Sequence, residues 1–133
     1  MSEQRLQIGA EETTLGAATL RVGWRTLARD YFRSDPPSLL DLENAIAAIE
    51  DEIARVRPDA AGTVVTASEP VRDIAGGSVL AIEAVEHAFA RLTARPGTAG
   101  DAQYAATLLI LRELMHHLHI ERITCTSPAR GRR

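Results

Sequence analysis

Lysine is absent from this chain, and aromatic residues are scarce. All positive charge on side chains other than histidine therefore comes from arginine, and the formal net charge is −3. A chain with a net negative charge lacks the excess of basic residues that is typical of a nucleic-acid-binding protein. Aromatic residues make up 4% of the 133 positions, which leaves little surface for stacking bases. We therefore expect no nucleic-acid partner.

Disulfide-forming pairs and long apolar runs are missing as well. Cys125 is the single cysteine, so no intrachain disulfide can form, and a buried, unreactive thiol in a reducing compartment is expected. No apolar run reaches the roughly 20 residues of a membrane span, and the first residues lack the pattern of a signal peptide. These observations predict a cytoplasmic protein that does not enter membranes.

The residues that are present favour one domain over residues 1–133, with 45% hydrophobic and 25% charged side chains. The most informative stretch is 100–130. Apolar residues between Leu108 and Leu118 cover too wide an arc for a surface helix, so this helix should be enclosed on most sides. It runs directly into a β-branched segment around Ile123. A buried helix that leads into a buried strand is typical of an α/β protein layered around a sheet.

Other elements follow from periodicity, caps and breakers. Ser38 followed by Asp41 has the spacing of a capping box and predicts the start of a helix. Short β-branched runs between breakers predict strands, and Pro70 suits the first turn of a short helix. The predicted strands are 5–8, 14–22, 63–66 and 120–127. The predicted helices are 24–32, a helix that begins at Ser38 with an apolar face through Ile53, 69–75, 81–94, and a long helix capped by Asp101 that leads into the last strand.

Three segments together resemble a known family. The first is Thr19-Leu20-Arg21-Val22-Gly23-Trp24-Arg25-Thr26-Leu27 with the later Ser34-Asp35-Pro36-Pro37; the second is Val64-Val65-Thr66-Ala67-Ser68; the third runs from Arg95-Pro96-Gly97 through the apolar helix to Ser127 and Arg130-Gly131. In this order they resemble the C-terminal part of the exopolyphosphatase and guanosine pentaphosphate phosphohydrolase (Ppx/GppA) family of the actin-like ATPase superfamily. That family has S-L-P-L-G-A-V-R-L with a later D-P-P, a strand leading to a Gly-Thr loop, and an S-x-x-x-R-E-G ending.

The resemblance implies an α/β fold: a ribonuclease-H-like (actin-like) partial domain with a small mixed sheet packed by about five helices. It further implies that the strand at Val64 lies parallel beside the strand at Ile123, with the long helix packed over them. Its relatives hydrolyse phosphoanhydride bonds, so a phosphate or nucleotide is the implied ligand. The phosphate-binding positions that it implies are Gly23, Ser68, Arg72, Ser127 and Arg130.

Departures from the family pattern shape the expected function. The family's D-I-G-G-G-S loop and catalytic acids precede the matching segments, and the sequence shows no counterpart of either. Ser68 and Glu69 stand in place of the Gly-Thr pair, and a carboxylate repels phosphate. We therefore expect a shortened domain that is non-catalytic or weakly active and serves as a phosphate-binding, nucleotide-binding or regulatory module.

Loss of the family's leading strand has a structural consequence. The strands at Val64 and Ile123 should then expose unpaired backbone groups. A homodimer, or a partner chain that supplies the missing strand, would cover them. Alternatively, residues 5–8 could fill the gap.

A divalent metal is the one cofactor that the sequence suggests. Glu113-x-x-His116 has the spacing used by carboxylate-bridged metal sites in helix bundles, and Glu83 with His87 on the preceding helix could complete the set. The competing interpretation is that Glu113 with His117, and Glu83 with His87, form weak surface pairs four residues apart. The acidic run around Glu50 is interpreted as a solvated helix face.

A different class of protein also fits these patterns: a homodimeric helical interaction module whose short strands only tie helices together and which holds a metal between helices. The strands at 63–66 and 121–126 separate the two hypotheses, because only the α/β hypothesis requires them to pair.

Overall fold

The computed structural model describes residues 3–94 and 101–126. Those residues form a six-stranded mixed sheet packed by helices. The strands are β1 (Glu3–Ile8), β2 (Thr13–Leu15), β3 (Ala18–Leu20), β4 (Thr63–Thr66), β5 (Val79–Ala81) and β6 (Arg122–Cys125). The helices are α1 (Trp24–Tyr31), α2 (Leu39–Val56), α3 (Glu69–Ala75), α4 (Ile82–Ala94) and α5 (Ala102–His117).

The strand order is β3-β2-β1-β4-β6-β5. The central strands β1, β4 and β6 are parallel, with Leu6 opposite Thr66 and Val65 opposite Thr124. An antiparallel meander, β1-β2-β3, lies on one side, and β5 pairs antiparallel to the outer side of β6. The predicted parallel pairing of the Val64 and Ile123 strands is confirmed, and the helical alternative with unpaired strands is wrong.

Helix α5 is the centre of the core. Every residue from 105 to 111 is buried, and the helix contacts α1, α2, α3 and α4. Full burial of a leucine or isoleucine stabilises the fold by about 1.5–3 kcal/mol, so this helix is a main source of stability. Asp101 caps it by accepting a hydrogen bond from the backbone N–H of Tyr104 at 2.9 Å. The prediction of an enclosed helix is confirmed.

The predicted capping box at the start of α2 is confirmed. The Ser38 hydroxyl accepts the Asp41 N–H, and the Asp41 carboxylate accepts the Ser38 N–H, each at 3.1 Å. The same carboxylate accepts the N–H groups of Arg33 and Ser34, so it also ties down the connection from α1. Those hydrogen bonds hold the pKa of Asp41 below its ordinary value.

Two strand predictions need correction. The segment predicted as one strand over 14–22 is two strands, because Gly16 has a left-handed φ of 59° and reverses the chain. The strand β5 was not predicted, since its three residues run directly into α4.

The expected exposure of β4 and β6 is wrong, and the alternative prediction that residues 5–8 fill the gap is confirmed. Strand β1 lies beside β4, and β4 lies between β1 and β6, so both β4 and β6 are paired on both sides. The segment 5–8 therefore fills the position that the sequence analysis had left open. This removes the reason for a homodimer or a partner strand at β4 and β6.

Within the residues that the structure describes, no helix has both the length and the apolar character needed to cross a membrane.

Candidate functional site

The carboxyl ends of the three parallel strands lie at one edge of the sheet, which is where α/β sheets commonly bind ligands. Hydrogen bonds from side chains join the strands there. The Thr66 hydroxyl donates to the Leu6 carbonyl at 2.8 Å, and the Ser68 hydroxyl donates to the Ile8 carbonyl at 3.2 Å. The Thr126 N–H donates to the Thr66 carbonyl at 2.7 Å. We call this border the carboxyl edge.

At one end of the carboxyl edge, the turn after β1 packs against the first turn of α1. The Trp24 N–H donates to the Gly9 carbonyl at 2.9 Å. The N–H groups of Arg25 and Thr26 donate to the Ala10 carbonyl at 2.9 and 3.2 Å. We call this contact, between Gly9-Ala10 and the amides of residues 24–26, the closed corner. Because backbone carbonyls already accept these amides, the start of α1 has no donor left for an anion.

Gly23, a predicted phosphate-binding residue, makes this close approach possible. It is buried, and its N–H donates to the Thr26 hydroxyl at 2.9 Å, so its amide is not free. A Cβ at this position would lie 2.5 Å from the carbonyl oxygens of Ala10 and Gly9. Its φ of −135° is ordinary, so the requirement for glycine is a requirement for space.

The turn of the closed corner also carries negative charge. Glu11 and Glu12 are exposed, and the Glu11 carboxylate forms an ion pair with Arg25. The Glu12 carbonyl accepts the Gly9 N–H at 2.9 Å. Two carboxylates lie beside amides whose N–H groups already donate hydrogen bonds, so this turn is unfavourable for phosphate.

At the other end of the carboxyl edge, α3 and the end of β6 enclose an open hollow of about 380 Å³. We call it the Arg72 hollow, after its one guanidinium. The residues that line it are Glu69, Arg72, Asp73, Gly76, Gly77, Ser78, Cys125 and Thr126.

The predicted phosphate-binding residues are thus only partly brought together. Arg72 lies in the hollow, whereas Ser68 lies at the start of α3. Both polar groups of Ser68 are engaged, because its N–H donates to the Thr66 hydroxyl at 3.1 Å and its own hydroxyl donates to Ile8. Gly23 lies in the closed corner. Ser127 and Arg130 lie outside the described residues.

Cys125 faces the Arg72 hollow and is half-buried. Burial raises the pKa of its thiol above the ordinary 9.0, and the Arg72 charge offsets part of that shift. The thiol is therefore mostly protonated at neutral pH. Thiolate is the nucleophilic form, so this environment does not activate Cys125.

The predicted metal set is separated in the structure. Glu83, His87 and His116 are exposed, while Glu113 is buried. Among the described residues, the one cluster of three potential ligands is Glu50, Glu113 and His117. Glu113 is thus brought together with two other side chains, and the predicted pairing of Glu113 with His117 is present.

In this cluster, which we call the α2–α5 triad, the His117 imidazole lies between two carboxylates. Its Nε2 is 3.2 Å from Glu50 Oε2 and 3.3 Å from Glu113 Oε1. Burial raises the pKa of Glu113; the Arg112 charge opposes the shift, and a hydrogen bond shared with Glu50 adds to it. Arg112 Nη1 lies 2.7 Å from Glu113 Oε2.

Glu50 is the site residue that the sequence analysis missed. It lies four residues after Ile46 and three before Ile53, so it borders the apolar face of α2, with its side chain 46% exposed. That spacing was the available signal. The partners on α5 could not be inferred from it, because they are more than 60 positions away.

No protein-family model matches the chain, and neither does any curated protein. Solved structures do share its fold. A PPX-GPPA enzyme of Aquifex aeolicus matches with a TM-score of 0.75 at 14% identity, over 94% of this chain and 53% of that one. The type II variant of the Aquifex aeolicus Ppx/GppA phosphatase matches with a TM-score of 0.76 at 13% identity, over 94% of this chain and 53% of that one. An exopolyphosphatase-like protein matches with a TM-score of 0.75 at 13% identity, over 96% of this chain and 55% of that one.

These matches confirm the predicted resemblance at the level of the fold. The α/β domain, with its mixed six-stranded sheet and packed helices, corresponds to half of the actin-like Ppx/GppA fold. The chain spans about half the length of these solved relatives.

Proposed function

We propose that this chain is a Ppx/GppA-like module that binds a phosphate-bearing ligand, such as a nucleotide or polyphosphate, without hydrolysing it, and so acts as a binding or regulatory domain. The observation that carries the proposal is the closed corner, where all four donors at the start of α1 are already accepted within the chain.

The turn at 9–12 supports the non-catalytic part of the proposal. In the family, the D-I-G-G-G-S loop precedes the segment that resembles Thr19 to Leu27, and the turn after the central strand β1 has this position here. The chain reads Gln7-Ile8-Gly9-Ala10-Glu11-Glu12 at this turn. Two glycines and the serine are replaced by alanine and two glutamates, so the turn offers carbonyls and carboxylates instead of free amides.

The Arg72 hollow supports the binding part. Its volume lies within the range of small-molecule sites, and Arg72 with the Ser78 hydroxyl can contact phosphate oxygens. The Thr126 hydroxyl already donates to the Thr66 carbonyl at 3.2 Å. The two carboxylates of Glu69 and Asp73 outweigh the single charge of Arg72, so the hollow has a net charge of −1. A bare anion would be repelled, whereas a nucleotide complexed with Mg²⁺ would bring a cation to the carboxylates.

Calorimetric titration with ATP, polyphosphate and guanosine tetraphosphate, with and without Mg²⁺, tests this proposal. We expect binding that requires Mg²⁺ and weakens at least about tenfold in Arg72→Ala, because a charge-assisted contact is lost. Arg91→Ala is the matched control, since Arg91 is exposed on α4 and does not line the hollow. The control should bind like the wild type.

A phosphate-release assay completes the test. We expect no release above the protein-free blank. Release that survives purification and is lost in Arg72→Ala would contradict the non-catalytic proposal. Equal binding by wild type and Arg72→Ala would contradict the assignment of the hollow.

Association with a second chain stays a proposal. It would use the outer side of β3 or β5, because these are the free edges of the described sheet.

A further inference from the structure

We propose that the α2–α5 triad of Glu50, Glu113 and His117 is a binding site for a divalent transition-metal ion of the zinc class. The side chains supply two carboxylate oxygens and one imidazole nitrogen, and zinc binds both kinds of ligand atom. The site shares no residue with the Arg72 hollow, so it does not depend on the function proposed above.

Two of the three separations between the potential ligand atoms are close to those around a small tetrahedral ion, and the third is no more than 4.8 Å. Zinc lies about 2.0–2.2 Å from nitrogen and oxygen ligands, so two ligands at a tetrahedral angle are roughly 3.3–3.6 Å apart. His117 Nε2 is 3.2 Å from Glu50 Oε2 and 3.3 Å from Glu113 Oε1. The Glu50 and Glu113 oxygens lie within 4.8 Å of each other, so an ion could be accepted if the half-exposed Glu50 side chain adjusts.

The residues around Glu113 hold its carboxylate in place. Arg112 binds the other oxygen of Glu113 at 2.7 Å. Arg112 is itself fixed, because its Nε lies 3.1 Å from Glu86 Oε1 and its guanidinium lies 4.0 Å above the Phe89 ring. Outer partners of this kind orient metal ligands, and here they come from packed helices.

Charge and exposure also favour a cation. The triad brings two carboxyl groups within 4.8 Å of each other, and the Glu113 side chain is only 2% exposed. Arg112 is shared between Glu113 and Glu86, so it does not balance all the negative charge. The side chains of Glu50 and His117 are 46% and 44% exposed, which leaves a path for the ion and a coordination position that faces water.

Titration with Co²⁺, followed by visible absorption and by competition with Zn²⁺, tests the site. We expect one equivalent to bind with the intense absorption of a four-coordinate or five-coordinate ion. His117→Ala should weaken the affinity at least about tenfold, because it removes the imidazole ligand. Glu50→Gln should weaken it similarly, and both changes lie at half-exposed side chains that the fold tolerates.

His116→Ala is the matched control, since His116 is the exposed neighbour of His117 in the same turn of α5 and is not in the triad. It should keep the wild-type affinity and spectrum. The proposal is overturned if His116→Ala and His117→Ala weaken binding equally, or if the wild type binds Co²⁺ no better than His117→Ala does.

Discussion

The closed corner and the Arg72 hollow lie at the same edge of the sheet and differ in how their polar groups are used. In the closed corner, backbone carbonyls of Gly9 and Ala10 accept the amides at the start of α1. In the hollow, side chains and two glycines border open space. Internal hydrogen bonds use the polar groups at one end of the edge, whereas the polar side chains at the other end border open space.

Glycine has opposite roles in the two regions. At Gly23 the missing side chain lets two backbones approach, because a Cβ would collide with the carbonyls of Gly9 and Ala10. At Gly77 a Cβ would meet nothing within 4 Å. The same residue type thus closes one region and leaves the other open, which explains why counting glycines in the sequence does not locate a phosphate site.

Gly23→Ala should have the largest effect on this comparison. The new methyl group must push the turn away from α1, since the contacts are backbone atoms that cannot rotate aside. Overpacking of this kind costs about 1–3 kcal/mol in the free energy of unfolding. Urea denaturation, monitored by circular dichroism, measures the loss.

Gly77→Ala is the control for that experiment. Its site is open, so the free energy of unfolding should change by no more than about 0.5 kcal/mol. Gly76 is unsuitable for this purpose, because its φ of 67° is strained for alanine. Equal destabilisation by the two substitutions would show that the closed corner is not held by close backbone contact.

Thr66→Val should have the next largest effect. Thr66 is fully buried between the two regions; its hydroxyl donates to the Leu6 carbonyl and accepts the Ser68 N–H. Valine keeps the shape but leaves these groups without that partner, which costs about 1–2 kcal/mol. Thermal or urea unfolding would detect the loss.

Thr107→Val is the matched control within α5. Thr107 is also fully buried, but its hydroxyl has no hydrogen-bond partner among the residues that the structure describes. Replacing an unsatisfied hydroxyl by a methyl group should leave stability unchanged or raise it by up to about 1 kcal/mol. A loss like that of Thr66→Val would show that buried hydroxyls are not distinguished by their partners here.

The parts of the fold that sequence analysis predicted are those set by neighbours in the chain. The apolar arc from Leu108 to Met115 predicted burial of α5, and Ser38 with Asp41 predicted the start of α2. The strand at 63–66 followed from β-branched residues between breakers. Each of these signals fits within one or two helical turns or a single strand, so no knowledge of distant partners was needed.

The parts that sequence analysis missed depend on contacts between distant segments. Residues 5–8 were predicted as a strand, but their place beside β4 was one of two alternatives, and the sequence could not choose between them. Strand β5 is three residues long and exists because β6 pairs with it. The metal set was assigned to Glu83 and His116 by spacing along two helices, whereas the structure joins Glu113 to Glu50 across a third.

The alkylation rate of Cys125 should show the smallest effect, and it reports on the Arg72 hollow without any contribution from the closed corner. It is the single cysteine and lines the Arg72 hollow, while the closed corner has none. Because burial raises its thiol pKa above 9.0, the thiolate fraction is low at pH 8, and alkylation should accelerate as the pH rises through that raised pKa. Arg72→Ala removes the positive charge that favours thiolate, so it should slow alkylation a few-fold at a fixed pH.

Saturating Mg²⁺ and ATP should slow the wild type by a similar factor, because a ligand in the hollow covers the sulfur, and should leave the rate of Arg72→Ala unchanged. Rates followed by mass spectrometry would contradict occupancy of the hollow if the ligand slowed both proteins equally or neither of them.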